Sequence, residues 1–186
     1  MEEFLVMDLS EYLFYSGGAK GADTIWQETL EGIGAKVMAY RPEHYDKLTQ
    51  SAKDTIESQY LEVVHTLGRR VLSADKYVGK LVRRDMMQVA LADAVFAIGW
   101  IDRNGYLSGG TAYSTTRAII KKLSVYCFDL YELDWLYWNY DEDKFVRTKP
   151  PVLTKRACVV GTRDIIEEGI DEIKNTVNRT LVLINR

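Results

Sequence analysis

Two cysteines, two histidines and three prolines in 186 residues close off several classes of function at the outset. Cys127 and Cys158 each sit in an apolar run that reads as a strand, with no second thiol nearby, so buried reduced thiols are expected rather than a disulfide framework. His44 and His65 are not grouped with cysteine or paired carboxylates. They give zinc little to bind and leave a Ser-His-Asp nucleophile without its base, so no metal and no cofactor is expected. No apolar run approaches the roughly 20 residues that span a bilayer. The opening Met1-Glu-Glu-Phe-Leu-Val-Met-Asp8 has no basic signal-peptide segment, which makes a cytoplasmic protein without a membrane partner the expectation. Basic residues number 24 against 27 acidic, a net charge of -3, and neither sign forms a block. Non-specific coating of nucleic acid is therefore disfavoured, although a local basic pocket is still permitted.

What is present is an ordinary globular composition, 47% hydrophobic and 27% charged, with no linker, repeat or low-complexity run to divide it. Residues 1–186 read as one domain. Tyr12–Tyr15 is a short aromatic strand ended by Ser16-Gly-Gly18. Ala22, Ile25, Trp26, Thr29, Leu30 and Ile33 then recur at helical spacing until Gly34. Lys36–Tyr40 reads as a strand stopped by Arg41-Pro42, and 49–69 as one or two helices. A helix over 82–91 leads into Ala94-Val-Phe-Ala-Ile98, an unbroken apolar run of the kind found in the middle of a parallel sheet covered on both faces. The turn-rich stretch 102–110 opens a helix that runs through Lys122 to a strand at Ser124–Phe128. Residues 131–147 turn aromatic and acidic and read as an appended β-hairpin, in which Trp135, Tyr137, Trp138 and Tyr140 are more readily packing residues than base stackers. Arg156–Gly161 and the helix after it close the chain. The βα alternation predicts an α/β, Rossmann-like three-layer fold with a mainly parallel central sheet and that small hairpin.

Three strand ends carry loops of small residues: Ser16-Gly17-Gly18-Ala19-Lys20-Gly21-Ala22-Asp23, Ser108-Gly109-Gly110-Thr111 and Gly161-Thr162-Arg163, with Gly99 marking the end of the central strand. In a parallel sheet all of them fall on the carboxyl edge, where ligands bind. Each loop alone reads equally well as a tight turn. Three together argue for a ligand whose phosphate or ribose approaches backbone that has no Cβ, in front of free helix N–H groups. Lys20 is a phosphate contact or a solvated turn residue, and Asp23 a ribose acceptor or a first-turn helix carboxylate. Arg83 and Arg84, on the helix before the central strand, are surface residues in the ordinary case and a bidentate phosphate contact in the functional one. Arg163 opens the last helix, an awkward place for a cation that a bound anion would resolve.

The Ser16–Asp23 loop, the stretch Arg84-Asp-Met-Met-Gln-Val-Ala-Leu-Ala-Asp-Ala-Val-Phe-Ala-Ile-Gly99 and Ser108-Gly-Gly-Thr111 together resemble the SLOG superfamily. That group includes LOG-type nucleoside monophosphate phosphoribohydrolases and DNA-processing protein A. The resemblance spans most of the chain and is strongest to small phage-type members. In the superfamily the Gly-Ser-Arg or Gly-Thr-Arg strand end comes first, whereas here Gly161-Thr-Arg163 comes last. A circular permutation accounts for this, and it requires residues 157–161 to pair in parallel with residues 12–15.

The resemblance implies a protein that binds a nucleotide or nucleotide-derived signal of ADP-ribose or cyclic-nucleotide type, as a phage-type sequestering, anti-defence or sensing protein and as a homo-oligomer. LOG-type enzymes pair an arginine, matched by Arg84, with a glutamate in Pro-Gly-Gly-x-Gly-Thr-x-x-Glu. Ser108–Arg117 contains no glutamate. Hydrolysis of a nucleotide N-glycosidic or phosphate bond is therefore the alternative, with Arg84 and Asp23 as weak catalytic candidates and Asp23 or Asp102 as possible stand-ins for the missing carboxylate. Single-stranded DNA binding is the third reading, opposed by the net negative charge.

Overall fold

A computed structural model describes Leu9 and residues 11–185. Seven strands form one sheet in the order β2-β1-β7-β3-β4-β5-β6. The strands β1 (Leu13–Ser16), β2 (Lys36–Ala39), β3 (Ala94–Gly99), β4 (Ser124–Asp129) and β7 (Arg156–Gly161) run parallel, while β5 (Asp134–Asn139) and β6 (Lys144–Arg147) extend the β4 edge as an antiparallel hairpin. The architecture is α/β and Rossmann-like. The last strand lies beside the first, with Leu13 opposite Arg156, Phe14 opposite Ala157 and Tyr15 opposite Cys158 in parallel register. A parallel pairing of residues 157–161 with residues 12–15 is the one expected from the sequence.

The strand period of two sorts the core onto two faces. Phe14, Ala94, Phe96, Ile98, Ala157 and Val159 meet Trp26 and Leu30 of α1 (Ala22–Gly32) and Ile173 and Val177 of α6 (Glu167–Ile184). The alternate residues, among them Tyr15, Val95, Ala97, Val125, Cys127, Cys158 and Val160, meet Val89 of α4 (Tyr77–Ala90) and Ala118 and Ile119 of α5 (Thr111–Ile120). Both cysteines are buried and unpaired.

On the second face a further layer follows. Tyr45 of α2 (Pro42–Asp46) and Ile56, Tyr60, Val63 and Val64 of α3 (Gln50–Thr66) cover Val82, Met86 and Met87 of α4 and Tyr113 of α5. Every residue of α4 from Val82 to Val89 is buried in consequence. No described helix is long and apolar enough to cross a membrane.

Local chemistry explains most of the boundaries. The helix α1 stops at Gly34, whose φ of +82° is the left-handed geometry that glycine adopts without strain, while Gly34 and Ala35 donate to Glu31 O and Leu30 O. The strand-stopping reading of Arg41-Pro42 misses α2. Proline suits the first helical turn as well as it suits a break, and His44 Nδ1 accepts from Arg41 N at 2.8 Å while His44 N donates to Arg41 O at 3.0 Å. The hairpin turn is held by Asn139 Oδ1, which accepts from Asp141 N and Glu142 N. Its aromatics pack: Trp135 and Trp138 are buried, and Trp135 Nε1 donates to Glu172 of α6 at 2.6 Å.

Candidate functional site

The loops after β1, β3 and β7 meet at the carboxyl edge of the sheet and, with the exposed end of α4, wall a cavity of about 400 Å³. Of the residues singled out from sequence, Ala19, Lys20, Asp23 and Arg84 line it. So do Ser108, Gly109, Gly110 and Thr111 from the second loop, and Gly161, Thr162 and Arg163 from the third. Ser16, Gly17, Gly18, Gly21 and Gly99 are not part of the lining, and the structure gives each a packing role instead. Ser16 Oγ accepts from Gly18 N at 3.2 Å. A Cβ on Gly99 would press to 2.9 Å of Leu107 Cδ2.

At Gly17 a Cβ would overlap the Arg84 guanidinium and lie 2.6 Å from Asp23 Oδ2, so this glycine lets the arginine reach the β1–α1 loop. At Gly21, with φ +90°, a Cβ would overlap Arg163 O and lie 2.5 Å from Thr162 O. This glycine lets the first and third loops touch. The amide of Ala22, at the start of α1, donates to Thr162 O at 2.9 Å, so that helix end serves the loop contact rather than an anion. By contrast, Gly109 and Gly110 face open space. They lead into α5, whose first turn has no side-chain cap, and Arg69 Nη1 steadies the turn by donating to Gly109 O at 2.7 Å.

Asp23 clamps the loops together. Its Oδ1 accepts from Gly161 N at 3.0 Å and its Oδ2 from Ala19 N at 3.5 Å. Burial pushes this carboxyl up to about 6, against the opposing pull of Arg84 and of the Gly161, Ala19 and Gly17 amides. Both arginines of α4 are buried, which corrects the surface reading: Arg83 exposes 2% and Arg84 5% of its area.

Arg83 belongs to the packing between helices. It makes a bidentate pair with Glu57 of α3 at 2.5 and 2.8 Å, donates to Leu72 O and Gly79 O, and stacks 4.2 Å from the Tyr60 ring centroid. Arg84 faces the cavity. Its Nη1 lies 3.3 Å from Asp85 Oδ1, and its buried Nε has no hydrogen-bond partner.

Four polar residues of the cavity were not singled out from sequence: Asp85, Gln88 and Ser114, which are buried, and Asp164, which is exposed. Burial pushes the Asp85 carboxyl up to about 7. Arg84 pulls it back, the Asp23 charge raises it further, and Gln88 Nε2, donating to Oδ1 at 3.0 Å, lowers it. One guanidinium thus faces two carboxyls that burial keeps near neutrality, an arrangement able to hold or release a proton around neutral pH. Burial, then the Asp23 and Asp85 charges, push the neighbouring Cys158 thiol well up, so it is no nucleophile. A signal for these residues existed: 84, 85 and 88 form a polar stripe at helical spacing directly before the most buried strand. Alone it reads as a solvated face.

Lys20 and Arg163 are exposed at the cavity rim. The sequence places Arg163 at the start of the last helix, but α6 begins at Glu167, with Glu167 and Glu168 in its first turn. The supposed clash of a cation with the helix dipole is therefore absent. Asp102 is a turn former, accepting from Asn104 N at 2.8 Å and Tyr106 N at 3.4 Å, and does not line the cavity. A second, more open depression of about 450 Å³ runs along α6 between Val152 and Leu183. Its one charged residue, Arg179, is committed to Glu172 and Pro151 O, and none of the three loops reaches it. No family model, no curated protein and no solved structure matches the chain.

Proposed function

We propose that the carboxyl-edge cavity binds a nucleotide or a small nucleotide-derived molecule, and that the protein sequesters or senses it, as the likeness of its loops to the SLOG superfamily implies. The observation that carries this reading is a single cavity walled by all three small-residue loops and lined by the buried polar side chains of Arg84, Asp85, Gln88 and Ser114. The buried Nε of Arg84 has no hydrogen-bond partner in the chain. Buried polar groups left unsatisfied are costly, and a bound molecule supplies the missing partners. The uncapped start of α5 and the rim cations Lys20 and Arg163 favour an anionic end on that molecule.

Native mass spectrometry of the purified protein, followed by denaturation and identification of any small molecule released, tests the reading. The control is Gly110→Asp, a site with open space for a side chain that places a carboxylate at the mouth of the cavity. A nucleotide derivative retained by the wild type and lost from the variant is the expected result. Equal retention by both, or an empty wild type that also fails to bind added nucleotides, removes the proposal.

One observation favours a second reading, hydrolysis of a nucleotide. Asp85 sets beside Arg84 the carboxyl that the Ser108–Arg117 segment does not contain, and at about 7 it is poised for proton transfer. Chromatography of nucleotides incubated with the protein decides between turnover and retention.

A further inference from the structure

Resting on the binding proposal above, we infer that the cavity takes up a proton together with its anionic ligand: Asp85, which shares the buried Arg84 guanidinium with Asp23, becomes protonated as the anion enters. The proton acts as a second ligand, and by linkage each of the two strengthens the binding of the other.

One guanidinium serves two buried carboxyls. Arg84 Nη1 lies 3.3 Å from Asp85 Oδ1, and a Cβ on Gly17 would meet both that guanidinium and Asp23 Oδ2. All three side chains are buried. With both carboxyls ionised the cluster holds one uncompensated negative charge where little water can offset it. The surrounding elements do not restore the balance. Arg83, the neighbour of Arg84 on α4, is committed to Glu57. On β7 the Cys158 thiol is buried and pushed well up, so it is neutral. From α5 the lining residues are Thr111 and Ser114, which carry no charge. Lys20, Arg163 and Asp164 stand exposed at the rim, where solvent screens them.

Hydrogen bonds decide which carboxyl takes the proton. Asp23 accepts Gly161 N on one oxygen and Ala19 N on the other, and such donors favour the ionised form. Asp85 accepts from the Gln88 amide on Oδ1, the oxygen that also faces Arg84, and no described residue donates to its Oδ2. The proton therefore belongs on Asp85, which burial already pushes up to about 7. An anion drawn in by Lys20, Arg163 and the uncapped start of α5 brings further negative charge toward Asp85 and competes for the Arg84 cation. Both effects make protonation of Asp85 more favourable, so the site fills more readily as pH falls.

The test is isothermal titration of the full chain with ADP-ribose and with cyclic AMP, whose phosphates keep a fixed charge between pH 6 and pH 8. Any proton exchanged then belongs to the protein. At pH 7, titration in two buffers of different ionisation enthalpy should count about half a proton taken up per ligand, because a carboxyl at about 7 is half protonated beforehand. Affinity should fall about tenfold from pH 6 to pH 8, as the protonated fraction of the free protein drops from about nine-tenths to about one-tenth. Asp85→Asn, with its fold checked by circular dichroism, should lose most of the uptake and bind at pH 8 about as tightly as the wild type at pH 6. The proton count of the wild type decides the matter even if that variant does not fold. Equal enthalpies in the two buffers with a pH-independent affinity, or release of a proton, overturn the inference and leave the binding proposal standing. Undiminished uptake in folded Asp85→Asn overturns the assignment to Asp85. Binding of neither ligand overturns the inference and the binding proposal together.

Discussion

Replacing Asp85 by asparagine should change how the stability of the protein depends on pH more than it changes the stability itself. The Asp85 carboxyl ordinarily titrates at 3.8 and is pushed up to about 7 here, chiefly by burial. Between those values the folded protein keeps a proton that the unfolded chain has already released. A native state that binds the extra proton loses stability as pH rises, and the whole loss is present above the folded value. The shift amounts to about 4 kcal/mol by pH 8, of which about 2–3 kcal/mol accumulates between pH 5 and pH 8. Asparagine imitates the protonated acid in shape and cannot ionise.

Over the range from pH 5 to pH 8 the two proteins should therefore differ least in stability at pH 5. At pH 8, where Arg84 in the variant is balanced by Asp23 alone, the variant should be the more stable. Urea unfolding at the two pH values measures this: with a slope of about 2 kcal/mol per molar, the variant's midpoint should gain about 1 M on that of the wild type between pH 5 and pH 8. Asp23, pushed up to about 6, bends both curves the same way and does not obscure the difference. A wild type more stable than the variant at pH 8 would refute the reasoning, because it would mean that Arg84 outweighs burial and keeps Asp85 ionised throughout.

The glycines divide by what a Cβ would meet. Gly17→Ala should cost about 1–3 kcal/mol in thermal or urea unfolding by displacing Arg84, whereas Gly110→Ala, at φ -70° in open space, should be neutral or stabilising by up to about 1 kcal/mol. Arg83→Met should cost about 2–3 kcal/mol, below the 3–5 typical of a broken buried pair, because the orphaned Glu57 side chain is 36% exposed and regains water; urea midpoints check this. Arg163→Ala should leave the unfolding midpoint within about 0.5 kcal/mol of wild type while weakening nucleotide binding and flattening its salt dependence in titrations at two ionic strengths.

The parts of the fold legible in the sequence were those fixed by short-range patterns. The run Ala94–Ile98 is apolar at every position because both faces of β3 are covered. The spacing of Ala22, Trp26 and Leu30 is that of one helix face, and all three are buried on the same side of the sheet. What was not legible depended on chain segments far away in sequence. The start of α4 at Tyr77 carries no capping side chain and precedes the expected start at residue 82. The burial of Arg83 exists only because α3 lies over α4 and brings Glu57 and Tyr60 to it.

The same long-range fact makes the site. Taken alone, α4 is an amphipathic helix whose Arg84, Asp85 and Gln88 would face water. Placed between the sheet and an outer helical layer, that stripe is buried and lines the cavity walled by the three loops at the carboxyl edge. Desolvation then raises Asp85 and Asp23 toward neutrality, and Gly17 allows Arg84 to come between the loops and the carboxyls. The small-residue loops that stand out in the sequence are therefore in part the means of closing the site: Gly17 and Gly21 admit protein atoms, and only Gly109 and Gly110 leave room for a ligand. The chemistry resides in a polar stripe whose function the sequence hides, because a solvated face and a buried binding floor are written with the same residues and differ only in what covers them.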